Sequence, residues 1–503
     1  MTDFNQKLFA ALHGPRDAVI LDQKGRDFTR GEIADLADDI TARLDAAGVP
    51  MDVSVGVVMR NRPAHAAAML ALIAAGRPMT TIYALQADEA IAREVAATRF
   101  GAVIADRQDW DAGLCAAAGS AGSAGLVIDI NADPVVGYVE GLEHCGEGPF
   151  RLSEGERGIE LLSSGTTGPP KRIRFPFRML IRAVDTAEAG KLGDEFPADI
   201  GVWPLAGIGG VCNLVANIVL GRHMALLDKF NVTEWVDAVK RHRPSYVSGP
   251  PAVAQMVVDA GVAPEDIASI RYFYGGSAPL SPALDLALEE RYGITSIWAY
   301  GATEFCGTVI SWTLPMHQQF GAAKRGSMGR PLPNVSIRIV DVGTGEPLPA
   351  GQEGYLEALV PVISQDWIRT TDLAVIDEDG FVFHRGRGDG AIMRGGFKVV
   401  PERIVDVLRT HDGVLDAAVI GMPDARLGAV PIAIVEPATG KPRPNEAELI
   451  ALVKGQMLAF YVPARVLVME RLPRTASLKV DLGALRRHVE QAVAGEASVG
   501  ATA

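Results

Sequence analysis

Cysteine is scarce in this chain of 503 residues: only Cys115, Cys145, Cys212 and Cys306 are present, with no C-x-x-C and no histidine partner at zinc spacing. A disulfide framework or a structural zinc site is therefore not indicated, and a reducing cytoplasmic setting is the simpler expectation. Histidine is also sparse. His223, His242 and His411 have no recurring partners, so no histidine is expected to serve as a metal ligand or general base. Basic residues are outnumbered, 48 Lys+Arg against 61 Asp+Glu, which gives a formal net charge of −13 without any long basic block. That excludes a dedicated nucleic-acid binder, though it allows a local basic funnel for an anionic ligand. No hydrophobic run is long enough to span a bilayer. The longest, around Ala64 to Gly76, is interrupted by His65 and reads as a buried helix, and the start Met-Thr-Asp-Phe-Asn-Gln-Lys has no apolar signal core.

What is present is the composition of a globular protein, 48% hydrophobic and 22% charged. At roughly 100–200 residues per domain, the length predicts two to four domains. Ile33, Leu36, Ile40 and Leu44 recur at helical spacing, Val53 to Met59 reads as a buried strand, and the alternation continues through helices at Met69–Ala75 and Glu89–Thr98 and strands at Ala102–Ala105 and Leu126–Ile130. Between Gly201 and Ser277 the pattern repeats, with helices at Val211–Leu220, Val232–Arg241 and Ala252–Ala260 and strands at Met224–Leu227 and Tyr246–Ser248. After about Gly326, short alternating strands such as Val335–Val340 predict a small β-barrel or sheet. From Gly396 the order is strand, helix (Pro401–Arg409), two strands (Ala417–Ile420, Val430–Glu436), helix (Asn445–Leu458), strand (Arg465–Val468). The expected fold class is α/β: a large N-terminal domain of two α/β lobes plus the small β-barrel (1–386), a hinge segment (387–395), a small mobile α+β domain (396–491) and a disordered tail (492–503).

The strongest local signal is Ser163-Ser164-Gly165-Thr166-Thr167-Gly168-Pro169-Pro170-Lys171, which follows an apolar run and precedes Arg172 and Arg174. Glycine lets backbone N–H groups approach phosphate oxygens, Ser and Thr add donors, and Lys adds a point charge. The loop is not a Walker A motif, because Pro169 and Pro170 block the helix that must follow one. A solvated hydroxyl-rich turn would have the same composition. Gly386-Arg387-Gly388-Asp389-Gly390-Ala391 fits a dinucleotide fingerprint, but it is charged inside and no helix pattern follows it, so that reading is rejected.

The loop at 163–171 resembles the phosphate-binding motif of the acyl-adenylate-forming enzymes, the family of acyl-CoA synthetases, peptide-synthetase adenylation domains and luciferases. Further motifs of that family follow in chain order: Gly275-Gly276-Ser277-Ala278-Pro279-Leu280, Tyr300-Gly301-Ala302-Thr303-Glu304, Thr370-Thr371-Asp372-Leu373, Gly386-Arg387-Gly388-Asp389 with Gly395-Gly396-Phe397-Lys398, and Pro473-Arg474-Thr475-Ala476-Ser477-Leu478-Lys479. The resemblance covers about Gly165 to Lys479. It implies an ATP-, Mg²⁺- and CoA-dependent acid:CoA ligase working through an enzyme-bound acyl-AMP. By the same resemblance Gly275, Gly276, Ser277 and Tyr300 lie on the adenine side, with Gly301 beside them, and Thr303 donates to the α-phosphate. Glu304 is the Mg²⁺ ligand, and Asp372 accepts from the ribose hydroxyls. Arg387 contacts ribose or phosphate, and Lys479 bridges the carboxylate and the α-phosphate. Asp389 is the hinge, and Gly396, Phe397 and Lys398 line the CoA tunnel. Without that context Asp372 would read as a turn residue and Lys479 as solvated surface.

Departures from the family pattern bear on the substrate. Where many members carry an aromatic-His pair after Pro-Leu, this chain has Pro204-Leu205-Ala206-Gly207-Ile208-Gly209-Gly210. Small residues there leave volume for a bulky acyl group, with Trp203, Ala206, Gly207, Ile208, Gly210, Val211 and Ala302 as the expected pocket and Cys212, Phe305 and Cys306 as apolar neighbours. Tight packing of a helix would account for Gly209 and Gly210 equally well. Thr371 stands for the usual Gly before Asp372, and Leu478 for the usual Gly before Lys479. The expected substrate is a medium-to-large apolar or aromatic carboxylic acid. Two other readings stay open: delivery of the acyl group to a carrier-protein phosphopantetheine, and a nucleotide-binding regulator without catalysis. The oligomeric state is open, a homodimer being one option.

Overall fold

The computed structural model describes residues 2–153, 155–162, 172–189, 198–388, 390–394, 397–424, 427–457, 459–475 and 478–500. It divides into two compact units: one takes in the chain to Thr308 with Thr313–His317, and the other Val309–Trp312 and Gln318 onward.

In the first unit a seven-stranded sheet runs in the order Val136–Tyr138, Ala124–Ile128, Ala102–Asp106, Val55–Met59, Met79–Tyr83, Gly158–Leu162, Arg172–Pro176. Its interior pairs are parallel and the two outermost antiparallel. Val55–Met59 and Ala102–Asp106 are buried along their whole length, as near-continuous apolar strands are when both faces of a parallel sheet are covered, with Asp106 the charged exception at a strand end. The helix Pro63–Ala75 is buried all round, with Pro63 opening it and Gly76 closing it at φ 69°. His65 within it is wholly buried, and burial beside Arg62 and Arg60 drives its pKa down to about 3. A second group of parallel strands, Tyr246–Gly249, Tyr272–Gly275 and Thr295–Ala302, carries the helices Pro251–Asp259 and Pro282–Tyr292. The third sheet orders Asp199–Gly201, Met224–Leu226, Val19–Gln23 and Arg26–Thr29.

The second unit contains a four-stranded antiparallel sheet, Ser336–Val340, Glu353–Leu359, Ile368–Ile376 and Val382–Arg387, where the sequence predicts a small β-barrel or sheet. It also holds the C-terminal sheet, in which Val414–Asp424 and Gly428–Pro437 form a long antiparallel pair and Arg465–Val468 adds in parallel. Period-2 alternation splits that pair's side chains between two cores. Ala417, Val419, Ala433 and Val435 pack with Ile404, Leu408, Leu449 and Val453, whereas Ala418, Ile420, Ile432 and Ile434 pack with Leu472, Leu485 and Val489. The four-stranded sheet and the C-terminal sheet belong to the same unit, joined by the ion pair Arg403–Glu353 and by Gly386. At φ 108° Gly386 is left-handed, and a Cβ there would lie 2.5 Å from Val400 Cγ1. The last helix, Leu482–Gly500, continues through residues 492–500, which composition alone assigns to disorder.

Candidate nucleotide and acyl-substrate site

In the first unit the adenine-side loop grows directly from the parallel strands. Gly275 ends its strand opposite Trp298, and a Cβ on it would fall 2.0 Å from the indole; one on Gly276 would fall 2.8 Å from the Ala299 carbonyl. Glycine is required at both by close approach. The next residue, Ser277, is left-handed at φ 67°, and Trp298 Nε1 donates to the Ala278 carbonyl at 3.1 Å, which pins the loop to the neighbouring strand. Tyr300 and Gly301 lie near the end of that strand, and Gly301 has no room for a side chain because the Gly307 carbonyl would be 2.2 Å from its Cβ.

Thr303–Phe305 then form a single tight turn. Phe305 and Cys306 are buried beneath it, while Glu304 is exposed. A carboxylate held at the surface by buried neighbours suits a hard cation that keeps part of its water shell. The turn has a further support that sequence reasoning missed: Arg182 donates to the Phe305 carbonyl through Nη1 and to the Thr308 carbonyl through Nη2 at 3.1 Å. Nothing in the local sequence marks that arginine.

The expected acyl segment is adjacent. Trp203 Nε1 donates to Ser248 Oγ at 3.0 Å, Ala206 accepts from Thr81 Oγ1 at 2.7 Å, and Gly207 caps the helix Ile208–Val219. A Cβ on Gly207 would lie 2.7 Å from Tyr83 Oη, so this half-buried phenol, its pKa raised to about 12 by desolvation, is a second residue the sequence did not reveal. For Gly210 the packing explanation prevails, because a Cβ would meet the Pro204 carbonyl at 2.1 Å. Val211 is fully buried. The Cys306 thiol, with burial, pushes Cys212 up, while Cys212 and Arg182 hold Cys306 down.

The second unit presents Asp372 and Arg387 as directly paired residues of neighbouring antiparallel strands. Thr371, the departure from glycine, accepts from Arg387 Nη2 at 2.7 Å through its hydroxyl, while its carbonyl accepts from the Gly388 N–H at 2.7 Å. Thr370 Oγ1 accepts from the Asp372 N–H at 3.1 Å and donates to the Leu356 carbonyl at 2.9 Å. His384 Nε2 approaches Asp372 Oδ1 at 3.5 Å. An acceptor-only carboxylate beside a guanidinium suits a sugar diol next to phosphate.

Lys479 sits on a hairpin closed by the bridge Arg474–Val480. Within it the Thr475 N–H donates to the Lys479 carbonyl at 2.7 Å, and the Leu478 N–H to the Thr475 carbonyl at 2.9 Å. Leu478 is left-handed at φ 62°, a conformation that glycine adopts without cost. Arg474 fixes the hairpin by donating to Asp416 Oδ2 at 2.6 Å, and Arg409 holds Oδ1. Burial raises the pKa of Asp416, but the two guanidinium groups outweigh it and hold the carboxyl below its ordinary value.

The expected phosphate-binding residues Ser163, Ser164, Gly165, Thr166, Thr167, Gly168 and Lys171 lie outside the described residues, as do Asp389 and Gly396 and the side chains of Thr303, Phe397 and Lys398. The strands flanking the phosphate loop are described: Gly158–Leu162 and Arg172–Pro176 pair antiparallel with Leu162 opposite Arg172. A strand follows the loop, which bears out the exclusion of a Walker A motif.

The family model described as AMP-binding enzyme matches residues 8–359, and that described as AMP-binding enzyme C-terminal domain matches residues 404–479. The chain belongs to the AMP-binding enzyme family. It is 30% identical over 351 residues to a 4-coumarate–CoA ligase-like 2 of Arabidopsis thaliana, across 66% of this chain and 61% of the relative, so it accounts for less than two thirds of that protein's length. A 3-[(3aS,4S,7aS)-7a-methyl-1,5-dioxo-octahydro-1H-inden-4-yl]propanoyl:CoA ligase of Mycobacterium tuberculosis is 29% identical over 493 residues, 93% of this chain and 96% of the relative. In fold, the o-succinylbenzoate CoA synthetase of Bacillus subtilis, solved with its acyl-adenylate intermediate, superposes with a TM-score of 0.78 at 21% identity, over 95% and 96% of the two chains.

Proposed function

We propose that this protein is an AMP-forming acid:CoA ligase, which activates a medium-to-large apolar or aromatic carboxylic acid with ATP and then transfers the acyl group to CoA. The observation that carries this reading is the hairpin of Lys479, where the chain keeps a left-handed Leu478 and a two-arginine anchor. Backbone strain of this kind persists where it positions a working group, and a protein that only bound nucleotide would have no use for it. Lys479 is assigned to the charge that develops on the α-phosphate during carboxylate attack, a contact realised in the transition state. Asp372 and Arg387 are assigned to the ribose and its phosphate. Glu304 would hold Mg²⁺, which when bound supplies Lewis-acid neutralisation of the leaving pyrophosphate. Asp389 is assigned as the hinge and Gly396 to the CoA tunnel.

The preference for a bulky acid is supported by a relative named for a bicyclic propanoyl substrate. The test is acyl-CoA and AMP formation from a panel of aryl, fatty and polycyclic acids, with and without CoA. The reading expects AMP, not ADP, with one acid class preferred and turnover accelerated by CoA. Acid-dependent AMP formation that ignores CoA would transfer the reading to a carrier-protein acceptor.

A further inference from the structure

Outside every motif above, Asp22, His223 and His242 converge, and the ligand atoms they offer all lie within 4.8 Å of one another. This corrects the expectation that the two histidines have no partners. Each comes from a different element. Asp22 is in the strand Val19–Gln23, His223 immediately precedes the strand Met224–Leu226 that pairs with it, and His242 is the last residue of the helix Val232–His242. The Asp22 side chain is 1% exposed, and those of His223 and His242 are 23% and 12% exposed. The cluster is therefore sunk yet within reach of solvent.

The geometry is not that of a hydrogen-bonded triad. His242 Nε2 and His223 Nε2 approach Asp22 Oδ2 at 2.8 and 3.2 Å. Neither approach has hydrogen-bond geometry, and all three atoms are buried without a hydrogen-bond partner. Buried polar atoms left in this way are costly. Bonds of about 2.0–2.2 Å to a transition metal place neighbouring ligand atoms roughly 2.8–3.6 Å apart in octahedral or tetrahedral sites, and both carboxylate–imidazole spacings here, 2.8 and 3.2 Å, fall in that range.

The other oxygen of the carboxylate, Oδ1, accepts from Arg241 Nη1 at 3.0 Å, which fixes the orientation in which Oδ2 faces the imidazoles. The position at the end of a helix, where the carbonyl dipoles are negative, also favours a cation.

We infer that Asp22, His223 and His242 form a divalent transition-metal site, of zinc-like ligand chemistry, that clasps the paired strands Val19–Gln23 and Met224–Leu226 to the end of the helix Val232–His242. With two imidazoles and one carboxylate from the protein, the remaining positions fall to water. The site is distinct from the Mg²⁺ position assigned to Glu304 and does not depend on the proposed ligase activity.

The test uses the full chain, stripped with a chelator and titrated with Zn²⁺ in excess Mg²⁺ by calorimetry, and with Co²⁺ followed by its visible absorption. Wild type should take up one Zn²⁺ per chain with a rise in melting temperature, and Co²⁺ should develop ligand-field bands. His242→Gln and His223→Gln, which keep a neutral polar side chain of similar reach, should each lower Zn²⁺ affinity by at least about 100-fold, since even outer-shell changes cost 10–100-fold. Both should keep the far-UV spectrum and the ATP affinity of wild type. Binding of Zn²⁺ to wild type no tighter than to the double variant would overturn the site, and so would equal binding in all proteins with no Co²⁺ bands, which would trace uptake to other groups such as the four cysteines.

Discussion

The strand pair that carries Asp372 and the hairpin that carries Lys479 belong to the same compact unit, yet they are held in opposite ways. Asp372 and Arg387 are cross-strand partners in a registered ladder, and the side chains around them only refine a position that the sheet already fixes. Lys479 is placed by a short turn closed by local bonds, with one residue in a strained conformation and one ion-pair anchor at its base. A group that binds throughout can be set rigidly. Lys479, proposed to act on a charge that appears only in the transition state, sits on a short turn anchored at its base by Arg474 and Asp416.

The hairpin is most sensitive at its ion-pair anchor. Asp416→Asn removes the carboxylate that faces both Arg474 and Arg409, and stability should fall by about 2–3 kcal/mol in urea unfolding, less than for a fully buried pair because both arginines are partly exposed. The pH dependence has a definite sign. The folded pKa of Asp416 is depressed, so its stabilisation is fully present above the unfolded value of about 3.9 and is lost as pH falls through the lower folded value. Acid unfolding followed by circular dichroism should show wild type losing that increment below pH 4 while Asp416→Asn does not.

On the ladder side, Asp372→Ala should leave the strands intact and raise the KM for ATP by about 10–100-fold, the weight of charge-assisted hydrogen bonds worth about 1.5–3 kcal/mol. Leu478→Gly sharpens the contrast from the hairpin side. Relief of the left-handed leucine should add about 1 kcal/mol of stability, offset in part by glycine's greater freedom in the unfolded chain, with adenylation retained. The smallest effect is expected for Thr371→Gly. It removes the hydroxyl that accepts from Arg387, worth about 0.5–1.5 kcal/mol, so the KM for ATP should rise only a few-fold in steady-state assays.

Most of the architecture was legible because it is written in periodicity. The strand Arg465–Val468 was predicted with its observed ends, and the helices Asp88–Thr98 and Val232–His242 to within a residue at either end. Helix ends marked by Gly76 and by Pro63 follow local rules that sequence carries. What could not be read lies in contacts between distant segments. Arg182 beneath the Glu304 turn, Tyr83 beside Gly207, and the meeting of Asp22 with His223 and His242 depend on which strands become neighbours, and no spacing encodes that. Gly210 shows the limit in another form. A glycine leaves no sign in the sequence of whether its missing side chain makes room for a ligand or for the protein's own backbone, and here the Pro204 carbonyl fills the space. The motif residues were identifiable by resemblance alone, since neither Asp372 nor Lys479 carries a local signal of its role.

The Lys479 hairpin is proposed to serve the adenylation step. That role is tested most directly by measuring the two half-reactions separately in wild type and Lys479→Ala: pyrophosphate release from ATP with the preferred acid, and thioester formation from preformed acyl-AMP and CoA. Pyrophosphate release should fall by on the order of 10²–10³ while thioester formation from the adenylate stays within a few-fold of wild type. Undiminished pyrophosphate release in the variant would contradict that role.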